Sequence, residues 1–464
     1  MATRIGICAA ARSVRQVRRC PQGSCVELLI VLACVLAFAR PCHAQSQSVP
    51  TPATAAGPEV LTSTDVQASA RPAETVTQQP APSPPFTAGW QEGFVIQTDT
   101  GDNRLVFGMV IQTDGRFSLD DPTPITNTLM IRKVRPTFTG RIAKHFDFKV
   151  MPDLGIGTVV VMDAYFDIRF SQAFRVRSGK DKTPIGYELL QGDAYLLFPE
   201  RALASSLVPN RDIGIQVQGD IARARLFYAA GVFNGILDGT SSTTEVDTNN
   251  EKDFAGRVVL QPFKSAALSG FGFQVGGSTG PQTGALPAFK TSVGQTYFSY
   301  NTGAAASGVR NRVSPAVFYY RKAFGAFAEY MRSTQPVTRS NLQTEVTNHA
   351  WEMTGSIVLT GEAASDRGVR PKNNFDPANG KWGALQVLGR YTVLTVDRAA
   401  FAAGLTATGA SGEARSFTIA ANWYPSAYIK YYATFERTVF DGNASGARPA
   451  ENVILFRTQL AFGR

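Results

Sequence analysis

At 464 residues the chain is long enough for three ordinary domains or one large barrel, and length alone does not choose. Its 46 Lys and Arg against 36 Asp and Glu give a net charge of +10, but six arginines and Glu27 precede residue 45, and the remaining 40 basic and 35 acidic residues leave +5. So mild an excess lacks the concentrated basic face that nucleic-acid binding requires, and all five cysteines (Cys8, Cys20, Cys25, Cys34 and Cys42) lie in the same leading segment, which excludes disulfides and thiolate metal sites from the rest.

In chain order, the apolar run 28–39 follows Arg4, Arg12, Arg15, Arg18 and Arg19 and precedes Pro41-Cys42-His43-Ala44. That is the pattern of a secretory signal peptide over 1–44, cut after Ala44 and too short to span a bilayer. Val31-Leu32-Ala33-Cys34 offers a weaker, lipoprotein-like cut that would leave too little apolar sequence before the cysteine. Residues 45–88, rich in Pro, Ala, Thr, Ser and Gln, bury too little apolar surface to offset their ordering entropy and read as a disordered periplasmic linker.

From 89 to 464 the character is uniform. Strand-like runs recur at 104–117, 129–142, 146–154, 159–170, 174–180, 213–219, 222–233, 254–263 and 268–280. They continue at 293–300, 313–321, 324–334, 350–360, 382–396, 415–424, 428–440 and 452–462, which makes 17 candidates, one in excess of an even count. Tight connections such as Lys144-His145, Lys322-Ala323 and Pro425-Ser426 alternate with long ones at 234–253, 281–292, 335–349, 361–381 and 397–414. Apolar and polar side chains alternate along the strands, and Trp423-Tyr424, Tyr431-Tyr432 and Tyr319-Tyr320 stand at strand ends. The reading is an all-β fold: a transmembrane antiparallel β-barrel of about 16 strands over 89–464, its aromatics forming interfacial girdles. A closed barrel satisfies every backbone group of such strands in lipid, whereas the alternative, a soluble exported sheet protein, gives those aromatics no reason to cluster at strand ends.

Residues 181–210 interrupt the run of strands without regular alternation, a length that marks a functional loop. Folded into the lumen, the loop becomes a constriction. Charges at the bilayer midplane cost about 2–4 kcal/mol on the lipid side, so the polar strand faces should line the lumen. Those faces carry Lys133 and Arg135, then Asp163, Arg177, Arg223 and Arg225, then Arg257 beside Asp253, and later Arg390 and Lys430. Rings of Arg and Lys select anions, each guanidinium donating paired hydrogen bonds to phosphate or carboxylate oxygens. The blander reading is mutual neutralisation by Asp163, Asp167 and Asp253.

An enzyme is poorly supported. After the leader only His145 and His349 remain, one at a tight turn and one at a strand edge, and the sequence has no HExxH, P-loop or CxxC. Asp120-Asp121 and the acids of 247–253 read as loop carboxylates, and no metal or cofactor is called for.

The chain resembles the phosphate-selective porins O and P, from about Gly93 to the C-terminus. The segments that carry the resemblance are Ile131-Arg132-Lys133-Val134-Arg135-Pro136, Asp163-Ala164-Tyr165, Gly179-Lys180 with Pro184-Ile185-Gly186, and Pro209-Asn210-Arg211-Asp212-Ile213-Gly214. Gly231-Val232-Phe233-Asn234-Gly235, Lys252-Asp253-Phe254-Ala255-Gly256-Arg257, Leu359-Thr360-Gly361-Glu362 and Asn422-Trp423-Tyr424-Pro425 follow in the family's order. The resemblance implies a homotrimeric, 16-stranded outer-membrane channel, an inward-folded third loop, and a ladder of basic residues that guides phosphate or polyphosphate by passive diffusion. It assigns Arg135, Asp163, Lys180, Arg211 and Arg257 to the anion pathway. The implied partners are small anions, the lipid bilayer and the outer-membrane assembly machinery. One departure is that Phe462 is followed by Gly463-Arg464, where family barrels finish on an aromatic. The competing functional readings are a general, weakly selective porin and a structural outer-membrane barrel that conducts nothing.

Overall fold

The computed structural model describes residues 85–119, 125–155, 157–242, 249–263, 266–442 and 448–463. The expected signal peptide over 1–44, the expected linker up to residue 84, and the acids Asp120, Asp121 and Asp247 lie outside the described residues.

Twenty strands follow in order: β1 (Phe86–Trp90), β2 (Phe94–Thr98), β3 (Arg104–Leu119), β4 (Thr128–Ile142), β5 (Phe146–Asp153), β6 (Val160–Arg169), β7 (Arg175–Lys182), β8 (Arg211–Ile221), β9 (Leu226–Phe233) and β10 (Asp253–Leu260). Then come β11 (Phe271–Gly284), β12 (Phe289–Lys290), β13 (Thr296–Phe298), β14 (Ala304–Arg321), β15 (Phe324–Arg339), β16 (Leu342–Val358), β17 (Ala384–Thr395), β18 (Glu413–Tyr424), β19 (Ile429–Asp441) and β20 (Glu451–Phe462). Sixteen of them, β3 to β11 and β14 to β20, each pair antiparallel with the next, and β20 pairs back onto β3 to close the barrel. Closure leaves no edge, as lipid demands.

The wall obeys the two-residue period. On β11 the outward side chains include Phe271, Phe273 and Val275, while Gln274, Ser278 and Gln282 are buried on the inner side. On β19 Tyr431 faces out, with Lys430, Tyr432, Thr434 and Glu436 within. Trp423 and Tyr431 stack at 5.3 Å, and Phe375 and Trp382 extend this aromatic girdle near the tight-turn end of the barrel.

Four expectations are corrected. Residues 335–349 form no long loop: β15 and β16 pair in register across the tight turn at Ser340-Asn341, because the outward Thr and Gln side chains of a strand that clears the membrane look like loop residues in sequence. The long connection 359–383 lies at the tight-turn end, breaking the expected alternation. Ala364 and Val369 are buried there against Val358, Ala384 and Tyr424. The surplus candidate 293–300 is not a wall strand; its β13 pairs with β12 in a small hairpin whose Phe289, Tyr297 and Phe298 are buried. Finally, the linker expected to reach residue 88 gives way at Phe86 to the hairpin β1–β2.

That hairpin extends the wall where β20 stops, with β2 pairing to the first residues of β3. Gly463 accepts φ +67 there and its N–H bonds to the Glu92 carbonyl. A Cβ on Gly108 or Gly463 would stand 2.6 or 2.4 Å from the other's backbone, so this seam admits only glycine.

The connection between β7 and β8, residues 183–210, folds into the lumen, as expected for a constriction loop. Its Ile185, Leu189, Leu203, Leu207 and Val208 pack on Met331, Val346, Ala350 and Leu394, which face inward from β15, β16 and β17. Burying each such side chain contributes about 1.5–3 kcal/mol. The lumen is therefore filled on one side by an apolar core and left polar on the other.

Candidate functional site

On the polar side, a bulge decides which side chains reach the loop. Along β3 and β4, Gln112 opposes Lys133 but Thr113 opposes Ile131, so Arg132 is the extra residue. A bulge lets consecutive side chains escape strict alternation. Arg132 and Lys133 thus both meet loop carboxylates: Arg132 donates to Glu200 at 2.9 Å, and Lys133 Nζ to Asp193 Oδ1 at 2.9 Å.

Asp193 is the centre of the arrangement. Besides Lys133, it accepts from Arg135 and, at 3.1 Å, from Arg201, while Arg211 lies 3.8 Å away. Arg135 also donates to Asp153 at 2.7 Å. Arg211 Nε donates at 2.7 Å to Asp163, whose other oxygen takes Lys149 at 2.7 Å. Glu200 is the second node, held by Arg116 at 2.8 Å, Arg132 and Arg457 at 3.1 Å. Arg457 is fully buried and grips Asp114 with two bonds of 2.6 and 2.8 Å. Burial alone would push the Asp193 and Glu200 carboxyls up. For Asp193 the surrounding Lys133, Arg135, Arg201 and Lys182 outweigh it, and for Glu200 Arg132, Arg457 and Lys133 do, holding both well below the usual carboxylate range.

Of the side chains singled out in sequence, Lys133, Arg135, Asp163 and Arg211 come together around the loop. Arg177 sits apart, forked onto Asp167 at 2.7 and 2.8 Å, bonded to Asp181 and stacked over the Tyr165 ring at 3.7 Å. Lys180 is buried and stands opposite Ala164 and Ile213 in the sheet. Arg257 lies over the Phe227 ring at 4.9 Å and donates to Gln274 at 3.2 Å. Arg223 and Arg225 are elsewhere: the strand expected from 222 begins at Leu226, and both arginines are exposed on the tight turn before it, Arg223 with φ +59. Arg116, Arg132, Arg201, Arg457, Asp193 and Glu200 complete the site without having been singled out.

The loop separates two cavities. The one toward the tight-turn end, about 1010 Å³, is lined by six cations (Arg104, Arg135, Arg141, Lys149, Lys182, Arg211) and six carboxylates (Glu92, Asp147, Asp163, Asp167, Asp181, Asp193). The one toward the long-loop end, about 400 Å³, is lined by Arg116, Arg132, Arg201, Lys290 and Arg390 against only Glu200 and Glu436. One vestibule is balanced and the other is basic. Among the described residues no group of three His, Cys, Asp or Glu side chains is placed to hold a metal ion.

Comparison with known proteins agrees with this architecture. The family described as phosphate-selective porin O and P matches residues 108–462. The outer membrane channel DcaP of Acinetobacter baumannii superposes with a TM-score of 0.52 at 10% identity, over 79% of this chain and 99% of that one. An anion-selective porin from Comamonas acidovorans gives 0.50 at 11% identity, over 78% and 100%. OmpT of Vibrio cholerae in its trimer form gives 0.50 at 11% identity, over 78% and 99%. At such identities these likenesses concern the fold. No curated protein matches the sequence.

Proposed function

The chain belongs to the phosphate-selective porin O and P family and is an outer-membrane channel, and from that premise we propose that it passes small anions by diffusion, as a homotrimer. The observation that carries the reading is the basic vestibule, five cations to two carboxylates, on the long-loop side of the constriction. In outer-membrane barrels the long loops face the exterior, so anions concentrate at the entrance before they meet the narrowing formed by residues 183–210. The guanidiniums there offer paired donors to phosphate or carboxylate oxygens.

Lys133, Arg135, Arg211 and Asp163 form the pathway past the loop, with Arg116, Arg132 and Arg201 above them. Arg177, Lys180 and Arg257 belong to the same basic inventory. No cofactor or reaction is required. A second reading, a general porin of weak selectivity, is favoured by the balanced charge of the larger vestibule, six cations to six carboxylates.

Reversal potentials of the purified protein in a planar bilayer under a KCl gradient distinguish the two. An anion-selective potential with chloride current blocked by low phosphate supports a phosphate pathway, and anion selectivity without block supports passage of anions in general. A potential near zero supports the weakly selective reading, and cation preference or absence of conductance overturns anion passage. Native mass spectrometry in detergent should give a three-chain mass, and a single-chain mass would overturn the trimer.

A further inference from the structure

The outer face of the barrel changes character at one row of cross-strand partners. On β15, β16 and β17 the outward Tyr330, Trp351, Met353 and Tyr391 are exposed, and the Trp351 and Tyr391 rings lie 5.4 Å apart. Just beyond them toward the long-loop end, Arg332 and His349 stand directly opposite each other, with Thr395 continuing the row on β17. Beyond those, the outward hydroxyls of Thr334 and Thr347 hydrogen-bond to each other at 3.0 Å. Apolar below and hydroxylated above, the row marks a boundary.

Its height can be placed. Leu359 shares a row with Leu385 and Trp423, in the aromatic girdle near the tight-turn end. From Leu359 to His349 the chain runs about 34 Å at about 3.4 Å per residue, and a tilt of about 40° reduces this to about 26 Å, close to the roughly 25 Å height of a barrel's apolar band. Arg332 and His349 therefore stand at the headgroup level of the outer leaflet.

Two other outward cations toward the long-loop end, on β18 and β19, are neutralised or bonded within the protein: Arg415 pairs with Glu413 and Asp441, and Arg437 donates to Asn452 at 2.8 Å. The side chains of Arg332 and His349 make no hydrogen bond or ion pair among the described residues. Of the nearby acids, Glu413 is engaged by Thr395 and Arg415, and Glu345 lies further out, opposite Pro336. Two nitrogen-bearing side chains with no protein acceptor face the lipid side, above a platform of rings.

We propose that Arg332 and His349 bind the phosphate of an anionic outer-leaflet lipid, whose acyl chains lie on Trp351, Met353 and Tyr391. The guanidinium fork donates in parallel to two phosphate oxygens and an imidazole N–H reaches a third, while the aromatic rings supply the amphipathic surface that interfacial lipid prefers. This site lies outside the lumen and is independent of which ion the channel passes.

The test uses the full chain purified in detergent, lipid A as probe, and the R332Q/H349Q variant. Wild-type protein should bind lipid A by native mass spectrometry, with at least about a tenfold weaker apparent affinity in the variant; bilayer conductance of the variant should match wild type, showing an intact barrel. Dephosphorylated lipid A should bind both proteins equally and weakly. Equal affinity of the two proteins for lipid A overturns the site, as does wild-type binding of phosphatidylcholine as strong as that of lipid A. Competition by millimolar inorganic phosphate alone would overturn the lipid as ligand. Should the double variant fail to fold, R332Q alone serves the same comparison.

Discussion

At Asp193 one carboxylate faces Lys133, Arg135, Arg201 and Arg211, so the cations nearest the constriction are already attending a tethered anion. Removing that charge releases them. Asp193→Asn should shift the KCl-gradient reversal potential toward the anion limit, and Arg135→Ala should shift it the other way; equal potentials in both variants would remove this node from the ion path. The same cations fix its pH response. Because Asp193 and Glu200 are held well below ordinary carboxylate values, their ion pairs are fully formed above the unfolded pKa of about 4 and are lost only as pH falls through the depressed folded values. Selectivity measured between pH 7 and pH 4 should therefore stay flat with respect to these two groups. The wall cations Lys133 and Arg135 were legible in sequence because alternation put them opposite an apolar face. Arg132 was not, because the bulge breaks alternation there, and Asp193 and Glu200 sit in a loop with no period to read.

The constriction loop is held as an element by its apolar side rather than by its charges. Leu207 is fully buried among residues of β15 to β17, and Leu207→Ala should cost about 2–5 kcal/mol of loop packing. Single-channel recordings of that variant should show larger current fluctuations at unchanged oligomer mass, and a quiet channel would mean the ion pairs alone hold the loop. The loop's place between two strands was visible from its lost alternation. The hairpin of β15 and β16 was not, since the outward Thr334, Thr338, Gln343 and Thr347 combine strand geometry with loop-like polarity where the wall rises above the lipid. Strand patterning reports the solvent outside the wall, and it fails where that solvent changes from lipid to water. The hairpin β12–β13 misled in the opposite direction, because its buried rings imitate a membrane strand.

For the whole molecule, the barrel's count and closure followed from periodicity and connection lengths, while the direction of the connection 359–383 did not, because a loop's length does not say at which end it lies. Its Arg370 reaches Glu92 at 2.7 Å on the turn of the β1–β2 hairpin. Both partners are largely exposed, and a surface ion pair contributes only about 0–1 kcal/mol. Breaking it with Arg370→Ala should leave heat stability unchanged, as read from the loss of folded mobility on electrophoresis, and a large drop would reveal a buried role.

The two vestibules also differ in a way that single residues do not express. A basic chamber in series with a neutral one gives a channel with polarity along its axis. Where counter-ions accumulate on one side of a narrowing, the current drawn from that side exceeds the current drawn from the other at equal and opposite voltage. The protein should rectify in symmetric salt, carrying more current when anions are pulled from the long-loop end, and raising the salt toward 1 M, where the screening length shrinks to about 3 Å, should straighten the curve.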